Sequence, residues 1–219
     1  MSKKVIILGG IGKGEQIMDC ILDNRNTFGD KEYEVAGFLN DYSKEDISGY
    51  KVLGKLEDVS RFVDEGYYFS FGIHPIGKNY AIKELFEKVN IPEKKLATIV
   101  SKRAFISPTT IIEPGVVILP FAYISLNARI GRCSLIMAQS IIGHNSMLGP
   151  CCFIAAGSIL GSNVKLGYAA SICLGATVLE SCHLGDFSIL GAGSMLLKNI
   201  PSGEVFVGNP AKYLKNISR

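Results

Sequence analysis

Much of what this chain lacks bears on what it can do. No apolar run reaches the roughly 20 residues that a bilayer-spanning helix needs. The opening apolar stretch, Val5 to Leu8, is too short for a secretory signal and no small-residue cleavage site follows it, so a cytoplasmic protein is expected. There are six cysteines but no CxxC pair; they read as reduced packing residues rather than a disulfide frame or a zinc site. Histidine is scarce at three. The two in the second half, His144 and His183, lie 39 residues apart, which is too few and too badly spaced for a three-histidine zinc site. A long Lys/Arg stripe with interleaved aromatics is also absent, which argues against nucleic acid as partner.

What is present is a repeat. From Ile106 to Leu196 every sixth residue is Ile, Leu or Val, sixteen in all, without a slip in register. Two residues before each stands a small or compact side chain, such as Ser134, Ser140, Ser146, Cys152 or Ala170, and glycine often follows directly, as at Gly131, Gly143 and Gly149. A period of six fits neither a helix nor a simple strand alternation; it is the signature of a hexapeptide β-helix. Three hexads make one triangular coil with the aliphatics pointing inward. The small residues are expected to turn the corner region, and the glycines to relieve strain where the backbone bends. Five coils at the strand spacing give a column of about 24 Å.

The first hundred residues differ. A short apolar strand over 3–8 runs into Gly9-Gly10-Ile11-Gly12-Lys13-Gly14 and then a helix over 15–24. That order places backbone N–H groups at a helix start to face an anion, although Glu15 breaks the GxGxxG dinucleotide fingerprint. Further strands are expected over 34–39, ending in Asn40-Asp41, and over 67–71, ending at Gly72, with a helix over 79–89. Polar groups at the carboxyl ends of such strands line the ligand crevice of open α/β sheets. The predicted fold class is α/β plus β: a small Rossmann-like parallel domain over 1–98, then a left-handed parallel β-helix over 99–219 whose tail, 213–217, caps the column. Residues before Val100 carry 14 Lys+Arg against 16 Asp+Glu and the rest 9 against 4, that is −2 and +5, for the overall +3. A basic column favours anionic small molecules.

Two histidines invite a role. His74, after the third strand, reads as a solvated loop residue within reach of a ligand. His144 falls two residues after an inward aliphatic, on the outer surface near a corner, where Gly143, Asn145 and Ser146 leave room for a ligand. Imidazole suits a general base at neutral pH.

These residues together resemble the NeuD/PglD-type bacterial sugar O- and N-acyltransferases. The resemblance rests on the turn Gly9 to Gly14, "GFLND" (Gly37 to Asp41), Phe71-Gly72, "IIGHNSMLG" (Ile141 to Gly149) and "VFVGNPAK" (Val205 to Lys212), in that order over nearly the whole chain. It implies a homotrimer with active sites in clefts between β-helices. The implied activity is acetyl transfer from acetyl-CoA, without metal, to the amine of a nucleotide-linked sugar, with UDP as the expected carrier, in surface glycan biosynthesis. It implies that His144, with Asn145 beside it, is the general base. Ile11, Gly12 and Lys13 would meet the phosphates, Asn40 and Asp41 the uridine, and Gly72 the nucleotide-sugar. Leu174 and Ala192 would line the CoA groove, and Gly208, Asn209 and Pro210 would approach its adenine end. Two positions depart from the family: Asn145 stands where an acidic residue usually follows the catalytic histidine, and Phe153 where a second histidine is usual. O-acetylation of a sialic-acid-like sugar and a non-catalytic β-helix scaffold are the alternatives.

Overall fold

The computed structural model describes residues 2–218. Its first part is a four-stranded sheet flanked by helices: β1 (Lys3–Leu8), α1 (Lys13–Phe28), β2 (Tyr33–Leu39), β3 (Val52–Gly54), α2 (Val59–Asp64), β4 (Tyr68–Phe71) and α3 (Asn79–Val89). All pairs are parallel, in the order β3-β2-β1-β4. Central β1 is apolar without alternation because both its faces are covered; Val5 to Leu8 are fully buried. The glycine turn lies at the carboxyl end of this strand, where α1 begins. That helix starts at Lys13, two residues before its expected start, and stops at Gly29 with φ 68, a left-handed conformation that glycine adopts cheaply. β3 and α2 escape the sequence reading. β3 is a three-residue, half-buried edge strand, too short for a periodic signal.

The second part is the parallel β-helix. Two-residue strands pair at a constant offset of 18, as in Ile106↔Ile124, Ile124↔Ile142 and Ile142↔Leu160. The three sides of the column are sheets of five, eight and six strands, the eight including the tail. The sixth-residue aliphatics form one continuous core. The small residues prove to be a second inward position rather than corner pieces. Val116, Ala122, Ala128, Cys152 and Ala170 belong to the same core, and the buried serines satisfy their hydroxyls on backbone carbonyls, as in Ser134 Oγ to Gly149 O at 3.1 Å and Ser140 Oγ to Met137 O at 2.7 Å.

The glycines after the aliphatics also have another reason than the expected one. A Cβ at Gly131 or Gly143 would come 2.5 Å from the backbone of the next coil, so these glycines allow coils to approach. The bends themselves fall two residues later. Every sixth residue from Gly115 to Gly193 has positive φ, and ten of these are not glycine, among them Phe121, Asn127, Cys133, Asn145 and Phe187. A side chain there costs roughly 1–2 kcal/mol. The cost is offset because corner amides donate to the coil before: Asn145 N to Leu126 O at 3.0 Å, Cys151 N to Arg132 O at 2.8 Å.

The outward residue before each inward aliphatic decides what each side faces. On the eight-stranded side Val117, Leu135, Phe153, Ser171 and Ile189 are all buried, because the α/β part packs over them; Ile7, Met18 and Ile21 share a core with Val117, Leu135 and Phe153. Arg103 grips Asp23 of α1 through two bonds of 2.7 and 2.8 Å, and Asn79 at the start of α3 donates to Ala169 O and Ser171 Oγ. The five-stranded side presents Ile111, Arg129, Met147, Lys165 and His183. The six-stranded side presents the exposed stack Phe105, Tyr123, Ile141 and Ile159.

The expected cap at 213–217 is instead an exposed strand, Lys212–Asn216, antiparallel to Glu204–Val207. The end of the column is covered by Ile200, Phe206 and Ala211. Among the described residues no helix is long and apolar enough to cross a membrane.

Candidate active site

A cleft of about 690 Å³ opens where the carboxyl ends of β1, β2 and β4 meet the eight-stranded side of the column. Ile11, Gly12, Lys13, Asn40, Asp41 and Gly72 all line it, so the structure brings together the six residues expected at the nucleotide-sugar. It adds His74 and, from the column, Met137, Phe153, Ala155 and Leu174. Of the column wall the sequence reading named only Leu174, for the CoA groove, and Phe153, as a departure from the family; reading the outward residues at intervals of 18 gives Val117, Leu135, Phe153, Ser171 and Ile189, a mostly apolar side that must be covered.

Local packing explains much of this wall. Gly9 and Gly12 have φ of 121 and 88, which only glycine adopts readily. Gly10 leaves room for the Asn40 amide, and a Cβ at Gly72 would lie 2.9 Å from Leu8 O. Asn40 Oδ1 accepts from Tyr42 N and Asp41 Oδ1 from Leu56 N, both at 2.8 Å. The helix start is not wholly open to an anion as expected: Gly12 N–H donates to Glu15 Oε2 at 2.8 Å, and Ser48 holds the other oxygen at 2.6 Å. Those bonds lower the Glu15 pKa, the Ser48 bond foremost. Lys13 Nζ sits 4.7 Å from the Phe153 ring centre, and its pKa is lowered chiefly by burial.

His74, expected in solvent, is buried at 2% exposure. Its Nε2 lies 3.0 Å from Cys133 O, its ring stacks on Phe153 with centres 6.0 Å apart, and Nδ1 has no partner. Burial first, with nearby Lys13 adding, pushes its pKa down to about 4, against the raising effect of the Cys133 bond. Phe153 is thereby placed: it is the floor between His74 and Lys13.

His144 stands elsewhere, exposed on the corner between the six- and five-stranded sides, away from the α/β part. Its neighbours serve the fold rather than make room: Gly143 meets the next coil, and Ser146 is buried with its Oγ on Gly161 O. Asn145, at φ 58, occupies a left-handed corner that asparagine tolerates. Its Nδ2 lies 3.0 Å from His144 Nδ1 and 3.3 Å from Asn163 Oδ1, while its Oδ1 accepts from Asn127 at 3.2 Å. One chain does not bring His144 and the cleft together. His183 is an exposed residue of the five-stranded side.

The remaining expected residues gather at the corner between the eight- and six-stranded sides. Leu174 and Ala192 are one coil apart there and exposed, beside Gly175 and Gly193, where an added Cβ would meet nothing. Gly208 N donates to Ser194 Oγ at 2.9 Å, so the exposed run of Gly208, Asn209 and Pro210 continues the same edge. No cluster of three His, Cys, Asp or Glu suited to a metal occurs among the described residues.

The fold and the cleft define a class: a small parallel α/β domain joined to a left-handed parallel β-helix. Residues 4–89 match the family model of the PglD N-terminal domain. Among solved structures, PerB from Caulobacter crescentus, in complex with CoA and GDP-perosamine, shares the fold over 97% of each chain at 23% identity and TM-score 0.83. The acetyltransferase domain of PglB from Neisseria gonorrhoeae, in complex with acetyl coenzyme A, matches at 22% identity and TM-score 0.84 over 98% of this chain and 100% of that one. WeeI from Acinetobacter baumannii matches at 23% and 0.80, over 97% and 100%. A search of the curated proteins finds none similar in sequence.

Proposed function

We propose that the protein is an acetyl-CoA-dependent N-acetyltransferase acting on a nucleotide-linked amino sugar for surface glycan synthesis. The observation that carries this reading is the single cleft holding the glycine turn, Asn40, Asp41 and Gly72 against the β-helix. A diphosphate would lie between Lys13 and the turn. UDP is our preferred carrier; the Caulobacter protein's GDP-perosamine makes GDP the rival. The open, small-residue edge at Leu174, Ala192 and Gly208 to Pro210 would take the extended CoA arm. His144 would remove the proton from the sugar amine as its nitrogen attacks the thioester carbonyl and the CoA thiolate leaves.

This reading needs a second copy of the chain, because His144 stands on a different corner from the cleft. The exposed stack Phe105, Tyr123, Ile141 and Ile159 supplies an apolar face for it. We therefore propose a cytoplasmic homotrimer of two-domain subunits, 1–98 and 99–219, with each site completed across a subunit boundary.

Calorimetric titration with acetyl-CoA, UDP and GDP, followed by mass detection of acetylated product from UDP- and GDP-linked amino sugars, tests the activity. Binding of CoA and one nucleotide with product formation supports it. Binding of neither leaves the scaffold reading. Sedimentation of Ile141→Glu tests the assembly: a trimer that persists undiminished overturns the placing of the interface.

A further inference from the structure

His74 is built into the wall of the cleft in a way that packing alone does not require. Cys133 O can only accept a hydrogen bond, so Nε2 at 3.0 Å must carry the ring hydrogen. In the neutral ring Nδ1 is then a bare acceptor. It has no partner although the residue is 2% exposed, and a buried polar atom left unpaired costs about 1–3 kcal/mol. The ring is held on both sides, edge-on to Phe71 at 5.5 Å and stacked on Phe153, so Nδ1 cannot turn away to find water. Lys13 flanks the same phenyl ring from the turn side. Lys13, His74 and Phe153 line the same cleft, so its wall holds a cation and, against the same phenyl ring, an unpartnered acceptor just beneath the surface.

We propose that His74 is a specificity-determining residue whose Nδ1 accepts a hydrogen bond from a hydroxyl of the sugar, beyond the diphosphate that Lys13 meets. The inference rests on reading the cleft as the nucleotide-sugar site. A bare acceptor selects a donor, so a sugar lacking that hydroxyl, or a nucleotide with no sugar, gains nothing from His74.

The test is calorimetric titration of the full-length protein with UDP, UDP-N-acetylglucosamine, GDP and GDP-mannose, in the wild type and two variants. Gln in His74→Gln can still donate to Cys133 O but places no acceptor at the Nδ1 position. Asn in His74→Asn reaches the Nδ1 position and loses the Cys133 bond. The wild type should bind one sugar nucleotide more tightly than its parent nucleotide. His74→Gln should lose about tenfold of that preference with parent-nucleotide affinity unchanged, and His74→Asn should keep part of it. In ¹⁵N spectra the wild-type Nδ1 resonance should move upfield with the sugar nucleotide and stay in place with the nucleotide alone. A preference unchanged in His74→Gln, or a wild type that binds nucleotide and sugar nucleotide equally, overturns the proposal while the nucleotide reading stands. Failure of all four ligands to bind the wild type removes that reading and this one together.

Discussion

His74 and His144 are chemically identical side chains in opposite surroundings. His74 lies under the α/β part with both ring faces packed, its Nε2 fixed by a backbone carbonyl and its protonation suppressed. His144 stands exposed on a bare corner of the column, its Nδ1 in contact only with an asparagine. A ring buried and unable to charge is a reader of hydrogen bonds; a ring in solvent with one nitrogen free can move a proton. The surroundings, not the residue type, divide binding from chemistry. The comparison breaks if His144→Ala retains turnover. General acid–base catalysis contributes about 10²–10⁴-fold, so the variant should lose that much in kcat while CoA and nucleotide affinities hold.

The burial of His74 has a consequence in acid. The folded ring stays neutral down to about pH 4, whereas an unfolded histidine takes its proton near 6.5. Between those values the unfolded chain binds a proton that the folded chain does not, so stability falls as pH drops from 6.5 to 4 and levels off below. The difference amounts to about 3 kcal/mol. Denaturant titrations at pH 7, 5.5 and 4 should show that loss in the wild type and much less of it in His74→Gln. His144→Ala should follow the wild type, which sharpens the contrast. An equal slope in His74→Gln means that the ring is not held neutral by its site.

The corner around His144 belongs to the fold first. Gly143 has no room for a Cβ beside Gly161, so Gly143→Ala should destabilise the column by about 1–3 kcal/mol, seen as a lower denaturation midpoint. Gly175→Ala meets open space, though at φ 61, and should cost less, about 1 kcal/mol. Reversal of that order would mean that glycine serves the bends after all.

The repeat made the column legible because each inward aliphatic is set by a local period and one register. The two uses of glycine were not legible: close approach between coils and left-handed bends are both met by glycine, and only the coordinates separate position i+1 from i+3. The turn, Asn40, Asp41 and Gly72 were legible as a site because strand ends in an open sheet converge on one crevice. Of the cleft's second wall only Leu174 was read, as a groove residue, yet Phe153 belongs to the outward series at intervals of 18 that the α/β part covers. His74 was misplaced in solvent because its burial comes from Cys133 and Phe153, 59 and 79 residues further on, which no local pattern reports. The separation of His144 from the cleft arises because they occupy different corners of the triangle.

Asn145 offers the finest test of the comparison. With its amide nitrogen toward Nδ1, the neutral His144 ring carries hydrogen on Nε2 and cannot accept a proton there. The reverse sense, with oxygen toward Nδ1–H, leaves Nε2 basic, and Asn127 and Asn163 can reverse with it because each meets Asn145 through an amide. An aspartate removes the choice: its carboxylate only accepts, fixes hydrogen on Nδ1 and favours the imidazolium. Asp also tolerates the left-handed corner. Asn145→Asp should therefore raise the plateau of kcat/KM a few-fold, on the order of one charge-assisted hydrogen bond seen in the transition state, and move the acid limb of the profile to higher pH because the added carboxylate favours the charged ring. Sugar-nucleotide binding in the cleft that His74 lines should not change. A pH profile left where it was, with the plateau unmoved, would mean that Asn145 is a corner residue of the column and that His144 takes its orientation from a neighbouring subunit instead.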